Sequence, residues 1–186
     1  MSDYTLEPLA LEGLARIHQR VFNDDRGRFA RLFCQGRLAL QGRCFDIRQI
    51  NHSTTQGLGT VRGLHYQLPG HAESKLITCL EGAILDIVVD IRQGSPTFLQ
   101  WHAERLEAGD GRSLLIPKGF AHGFQALTEQ VQVLYFTDAD YAPGHEGGLR
   151  HDDPALNLPW PLPVANLSER DKQHPLLTPA FTGVAL

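Results

Sequence analysis

The sequence predicts an all-β sandwich or barrel, and three observations carry that prediction. The amphipathic helix period is almost absent along the chain. Short β-branched or apolar runs recur about every ten residues, and between them stand turn signals, among them Glu81-Gly82, Arg92-Gln-Gly-Ser-Pro96, Ala108-Gly-Asp-Gly111 and Pro117-Lys-Gly119. The strand candidates, in order, are Ile47 to Asn51, Lys75 to Leu80, Ala83 to Asp90, Phe98 to Arg105, Ser113 to Ile116, His122 to Ala126 and Gln130 to Phe136. The run Ala83-Ile-Leu-Asp-Ile-Val-Val-Asp90 is almost wholly aliphatic, as a strand buried on both faces would be.

Two regions read differently. Residues 1 to 46 form an N-terminal arm expected to open with a short helical turn and to add a strand around Phe29 to Cys34. The tail from about residue 152 to 186 is rich in proline and is expected to wrap the barrel, with a short helix near Ser168 to Gln173 capped by Ser168. No linker divides the chain, so residues 1 to 186 read as one domain.

Composition narrows the function. The 186 residues are 42% hydrophobic and 20% charged with a formal net charge of −4, which suits one folded domain and excludes a strongly basic nucleic-acid binder. No apolar run approaches the roughly 20 residues of a membrane helix. Residues 1–14 lack a basic segment followed by an apolar one, so no secretory signal is expected. Cys34, Cys44 and Cys79 are odd in number and lack disulfide or zinc-knuckle spacing, pointing to a reduced, cytoplasmic protein.

The densest polar stretch runs from Gln49 to Gln67. If Val61 to Gln67 is a regular strand, Arg62, Leu64 and Tyr66 share one face while Gly63, His65 and Gln67 share the other. His65 is a natural proton carrier, although a structural histidine is the default for any single one of nine. Lys75 opens a strand, where a lysine is ordinarily a solvated head. Asp86 interrupts an apolar run and needs a partner if buried, so structural pairing and site membership both fit it.

The segment Ile116-Pro-Lys-Gly-Phe-Ala-His-Gly-Phe124 resembles the second motif of cupin barrels, and the stretch from His65 to Gly82 resembles the first. The His-x-His of metal-binding cupins is here His65-Tyr66-Gln67, which leaves His65, Glu73 and His122 as the only candidate metal ligands. A metal-free proton-transfer site is the stronger reading.

Together the segments resemble the dTDP-4-dehydrorhamnose 3,5-epimerases. The resemblance rests on Asp25-Arg-Gly-Arg-Phe29, Gln49-Ile-Asn-His-Ser53, Arg62-Gly-Leu-His-Tyr-Gln67, Lys75-Leu-Ile and the run from Asp86 to Phe98. It continues through Ile116 to Phe124, Tyr135 to Glu146, Asp152-Asp-Pro154, Trp160-Pro161 and Leu167-Ser-Glu-Arg-Asp171. It implies a cupin, double-stranded β-helix jelly-roll barrel with short peripheral helices. It also implies epimerisation of a dTDP-linked 4-keto-6-deoxyhexose without cofactor or metal.

In that chemistry a C4 ketone acidifies the hydrogens on C3 and C5; a base removes one, and an acid returns a proton to the opposite face. By resemblance His65 is the base, Asp171 orients it, Tyr135 is the acid and Lys75 stabilises the enolate oxygen. Asp86 and His122 support them. Arg62 and Arg170 match diphosphate contacts, Gln49, Asn51 and Ser53 line the groove, and Tyr141 stacks on the base. Arg26 and Phe29 match an arm that reaches in from a second subunit, so a homodimer with arm exchange is implied. The chain departs from the family pattern at Arg31, Glu73, Phe136 and His151, in or near the nucleotide-binding elements. Competing readings are an epimerase acting at one carbon or a ketoisomerase, a metal-dependent cupin, and a sugar-binding cupin without catalysis.

Overall fold

The computed structural model describes residues 4–39 and 42–186; residues 1–3, 40 and 41 of the expected arm lie outside the described residues. Two antiparallel sheets face each other. The first holds six strands: β1 (Tyr4–Pro8), β2 (Ala15–Gln19), β10 (Arg112–Ile116), β7 (Lys75–Glu81), β12 (Gln130–Thr137) and β5 (Gln49–Gln56), in that spatial order. The second holds β13 (Glu146–Gly148), β6 (Val61–Gln67), β11 (Phe120–Ala126), β8 (Ala83–Asp90) and β9 (Trp101–Glu107). From β5 onward the chain alternates between the sheets except at the β8–β9 hairpin, as in a jelly-roll barrel of the cupin type.

Side-chain alternation sorts the apolar residues into three layers. Ile77, Val131 and Val133 from one sheet meet Ile84, Val88, Leu106 and Phe124 from the other, filling the space between the sheets. Leu76, Leu115 and Phe136 point the opposite way and are covered by the arm through Tyr4, Leu38 and Phe45. Ile87, Val89 and Ala121, on the outer face of the second sheet, are covered by the proline-rich tail through Leu156 and Val184. The run Ala83 to Asp90 forms β8 with every residue but Leu85 buried, which is why it lacks polar alternation.

The arm departs from its sequence reading. It opens with β1 rather than a helical turn, because Tyr4 to Pro8 pair along β2 and extend the six-stranded sheet. The strand expected from Phe29 to Cys34 stops at Ala30. There β4 (Gly27–Ala30) pairs only with β3 (Val21–Asp24), and the chain then turns into a short helix, α1 (Gln35–Ala39). In the tail, α2 (Glu169–Gln173) begins where expected; Ser168 Oγ accepts the Asp171 amide at 3.1 Å, a cap worth about 1 kcal/mol.

The decisive irregularity lies in β6. His122 pairs with His65 but Phe124 pairs with Arg62, so β6 carries one extra residue across from Gly123. Regular alternation would put Arg62 and His65 on opposite faces. The bulge corrects that expectation: Arg62 stands beside Phe124 and His65 beside His122, both facing the interior. Gly63 sits at φ 106°, and a Cβ on it would fall 2.6 Å from the His122 carbonyl oxygen and 2.7 Å from the Gly123 Cα. Only glycine fits there.

Gly63→Ala is therefore expected to cost about 1–3 kcal/mol of stability, the scale of a residue forced into sparsely populated backbone geometry. Urea unfolding at unchanged m-value is the check; a midpoint equal to wild type would show that the bulge tolerates a side chain.

Candidate active site

Cross-strand pairing gathers the polar residues on the two facing inner faces. On the six-stranded sheet Asn51 pairs with Tyr135 and Ser53 with Val133, while Gln49 and Lys75 both pair with Thr137. Facing them stand Arg62, His65, His122 and Asp86. Between the sheets opens a cavity of about 600 Å³, lined among others by Ser53, Arg62, His65, Tyr135, Arg170 and Asp171.

His65 and Asp171 are its sharpest pair. The His65 Nε2–H donates to Asp171 Oδ1 at 2.6 Å, and the Gly63 amide donates to Oδ2 at 3.2 Å. Burial pushes the Asp171 carboxyl up, but the hydrogen bond and charge of His65, with the Gly63 amide, outweigh it and hold the group below the usual carboxylate range. With Nε2 committed to Asp171, Nδ1 is the nitrogen of His65 left to accept a proton.

Tyr135 enters the cavity from the other sheet. Burial is the main cause that raises its hydroxyl to about 12; the Asp86 charge adds to this and the hydrogen bond with Ser53 opposes it. It is therefore a protonated phenol at neutral pH, with Ser53 Oγ 3.4 Å from its oxygen. The His122 ring lies edge-on to it, centroids 6.1 Å apart, and the His122 Nε2–H donates to Asp86 Oδ2 at 2.8 Å. Asp86 has no exposure, and its Oδ1 is buried without a protein partner. Lys75, largely buried, holds its ammonium 3.2 Å from Glu73 Oε1.

A chain of polar contacts extends outward from this chamber. Arg62 spans the gap between the sheets, donating from Nε to Thr55 Oγ1 at 2.8 Å and from Nη2 to the Thr54 carbonyl at 3.1 Å. The Tyr141 amide donates to Gln49 Oε1, whose amide nitrogen in turn donates to Asn51 Oδ1. Glu146 links the two ends: Tyr141 Oη donates to its Oε2 at 2.9 Å, and Arg170 Nη2 lies 3.1 Å from its Oε1. Burial raises the Glu146 carboxyl, but these partners bring it below the usual range.

Arg26 and Phe29 are not brought to this chamber. They project from the β3–β4 hairpin, Arg26 paired with Asp24 and Phe29 66% exposed. Nor do the candidate metal ligands gather: His65 is on Asp171, His122 on Asp86 and Glu73 on Lys75. Among the described residues the one cluster of three potential ligands is His65, Asp171 and His174. Glu146 and His174 are neighbours that sequence reading left without a role. The Asp171-x-x-His174 spacing, one helical turn, was the available signal for the second.

The comparisons with known proteins agree with this geometry. The family model described as dTDP-4-dehydrorhamnose 3,5-epimerase matches residues 8–179. The chain belongs to the dTDP-4-dehydrorhamnose 3,5-epimerase family. It is 43% identical over 169 residues to the dTDP-4-dehydrorhamnose 3,5-epimerase of Pseudomonas aeruginosa, covering 89% of this chain and 91% of that one. The structure of the dTDP-6-deoxy-D-glucose-3,5-epimerase of Legionella pneumophila, in complex with dTDP-4-keto-L-rhamnose, aligns at TM-score 0.91 with 35% identity over 98% of each chain. A 3'-monoepimerase from Streptomyces bikiniensis, in complex with dTDP-quinovose, aligns at 0.85 with 31% identity over 91% of this chain and 86% of that one. Members of this family are isomerases of nucleotide sugars with cupin-type jelly-roll folds, as the two sheets here are. No helix among the described residues is long and apolar enough to cross a membrane.

The depressed Asp171 carboxyl has a sign. A folded-state pKa below the unfolded value of about 3.8 contributes stability above that pH and loses it as pH falls through the folded value. Asp171→Asn should therefore flatten the loss of stability between neutral pH and pH values below the carboxylate range, measured by urea unfolding. An equal acid loss in wild type and variant would contradict the assignment.

Proposed function

We propose that the chain epimerises C3 and C5 of dTDP-4-dehydro-6-deoxy-D-glucose, giving dTDP-4-dehydro-L-rhamnose, by proton removal α to the C4 ketone. One observation carries the reading: a histidine held by a buried carboxylate and a protonated phenol enter one cavity from two facing sheets. Inversion needs a base on one face of the sugar ring and an acid on the other; binding alone needs neither.

In this reading His65 takes the proton at Nδ1, and Asp171 fixes the tautomer and stabilises the imidazolium. Tyr135 returns a proton from the opposite side. Lys75 lies toward the enolate oxygen, where charge appears only during the reaction; its neighbour Glu73 tempers its field. His122, held by the buried Asp86 carboxylate, stands edge-on to Tyr135, so the pair supports the acid from behind. Arg62 and Arg170 would bind the diphosphate, with Gln49, Asn51, Ser53 and Tyr141 along the nucleoside. Arg26 and Phe29 would complete a neighbouring copy's groove, which makes the protein a homodimer with exchanged hairpins. A cytoplasmic location fits this reading, since Cys34, Cys44 and Cys79 are all free thiols.

Incubation with dTDP-4-dehydro-6-deoxy-D-glucose in deuterated water, followed by NMR, tests the activity. Label at both C3 and C5 is expected; label at one carbon would make this a single-position epimerase, like the relative from Streptomyces bikiniensis, and no label would overturn the substrate. His65→Ala should cut exchange by about 100-fold or more with dTDP affinity little changed; near-normal exchange would remove His65 from the role of base.

A further inference from the structure

His174 has no part in the proton transfers assigned above, yet it sits against them. It caps α2 one turn after Asp171, with its Nε2 4.0 Å from Asp171 Oδ1 and its ring edge-on to His65 at 6.2 Å between centroids. That Nε2 is buried and makes no hydrogen bond. The ring occupies space that only a glycine at 148 leaves open, since a Cβ there would lie 2.1 Å from Nε2. A buried polar atom without a partner calls for one.

We propose that His65 Nε2, Asp171 Oδ1 and His174 Nε2 form a site for a divalent transition-metal ion of the zinc type, and that occupancy switches the enzyme off. One donor atom from each of the three residues lies within 4.8 Å of the others, and Asp171 Oδ1 is 2.6 Å from His65 Nε2 and 4.0 Å from His174 Nε2. Two imidazoles and one carboxylate are a donor set that such ions take, and the site faces a cavity from which waters complete the coordination. The distances close with small side-chain shifts. His65 and Asp171, now 2.6 Å apart across a proton, would move slightly apart around the ion, and His174 would move in.

The proton inventory explains the inhibition. In the metal-free site Nε2 of His65 carries the proton shared with Asp171, and Nδ1 accepts from substrate. A metal on Nε2 takes that lone pair, and the displaced proton passes to Nδ1. The imidazole stays neutral, but the nitrogen that would act as base is already protonated. The ion itself is neither oxidised nor reduced. Inhibition rests on His65 being the base; binding does not, so the two can fail separately.

Chelator-stripped protein titrated with Zn²⁺ by calorimetry, and with Co²⁺ by its visible absorption, reads binding without turnover. Hydrogen exchange into a 4-keto nucleotide sugar, with and without Zn²⁺, reads the switch. One ion per chain is expected, with exchange lost on binding and restored by EDTA. His174→Asn, checked for wild-type thermal unfolding, should keep metal-free exchange and lose metal affinity by about 10-fold or more, because removing a direct ligand costs at least as much as removing an outer-shell partner. Equal affinity in wild type and His174→Asn would overturn the site and move the ion elsewhere, the exposed His71–His145 pair with ring centroids 4.2 Å apart being one place to look. Binding that needs His174 but leaves exchange intact would overturn the inhibition and count against His65 as base.

Discussion

Gly63 and Gly123 meet backbone to backbone because neither carries a Cβ, and the chamber is arranged around that contact. Any side chain at either position would strike the facing strand. The close approach accommodates an extra residue in β6, and the extra residue turns both Arg62 and His65 inward. It also presents the Gly63 amide to Asp171, so the same irregularity that aims the histidine helps anchor the carboxylate that orients it. Without the bulge, one of Arg62 and His65 would face the tail instead of the cavity.

The sandwich divides its interior between two tasks. Ile77, Val131, Phe124 and Leu106 make a dry core. Directly beside it, with Tyr135 pairing to Ile77 and Asp86 to Phe124, the same inner faces carry Lys75, Tyr135, Asp86 and His122. Burying Asp86 without a partner would be costly, and the hydrogen bond from His122 offsets only part of that, since Oδ1 has no protein partner. The apolar layers outside each sheet, made by the arm and the tail, supply stability that lets the cavity remain polar.

Much of this was legible in the sequence, for physical reasons that also mark where legibility stopped. Strand β8 declared itself from Ala83 to Asp90 because a strand buried on both faces has no polar alternation, and the Ser168 cap of α2 is a local signal read correctly. The arm was misread because β1 is a strand only by pairing with β2, a contact that local propensity does not encode. The facing of Arg62 and His65 was misread because the period-2 rule assumes no bulge, although two glycines in facing strands were the hint. Asp171 stands 106 residues from His65; nothing local joins them, and only resemblance to a family paired them. Glu146, which ties Tyr141 to Arg170, had no motif of its own.

The chemistry then follows from placement: a tautomer-fixed imidazole and a phenol kept protonated by burial, on two sheets that face each other across one cavity. The central claim is that they act on opposite faces of the sugar, one taking a proton and the other giving one. Substituting Tyr135→Phe and following, in deuterated water, both wash-out of the substrate hydrogen and the configuration of the recovered sugar tests it most directly. The account predicts that exchange continues with retention of configuration, because His65 still removes and returns the proton on its own face. Inversion at the wild-type rate in that variant would contradict it.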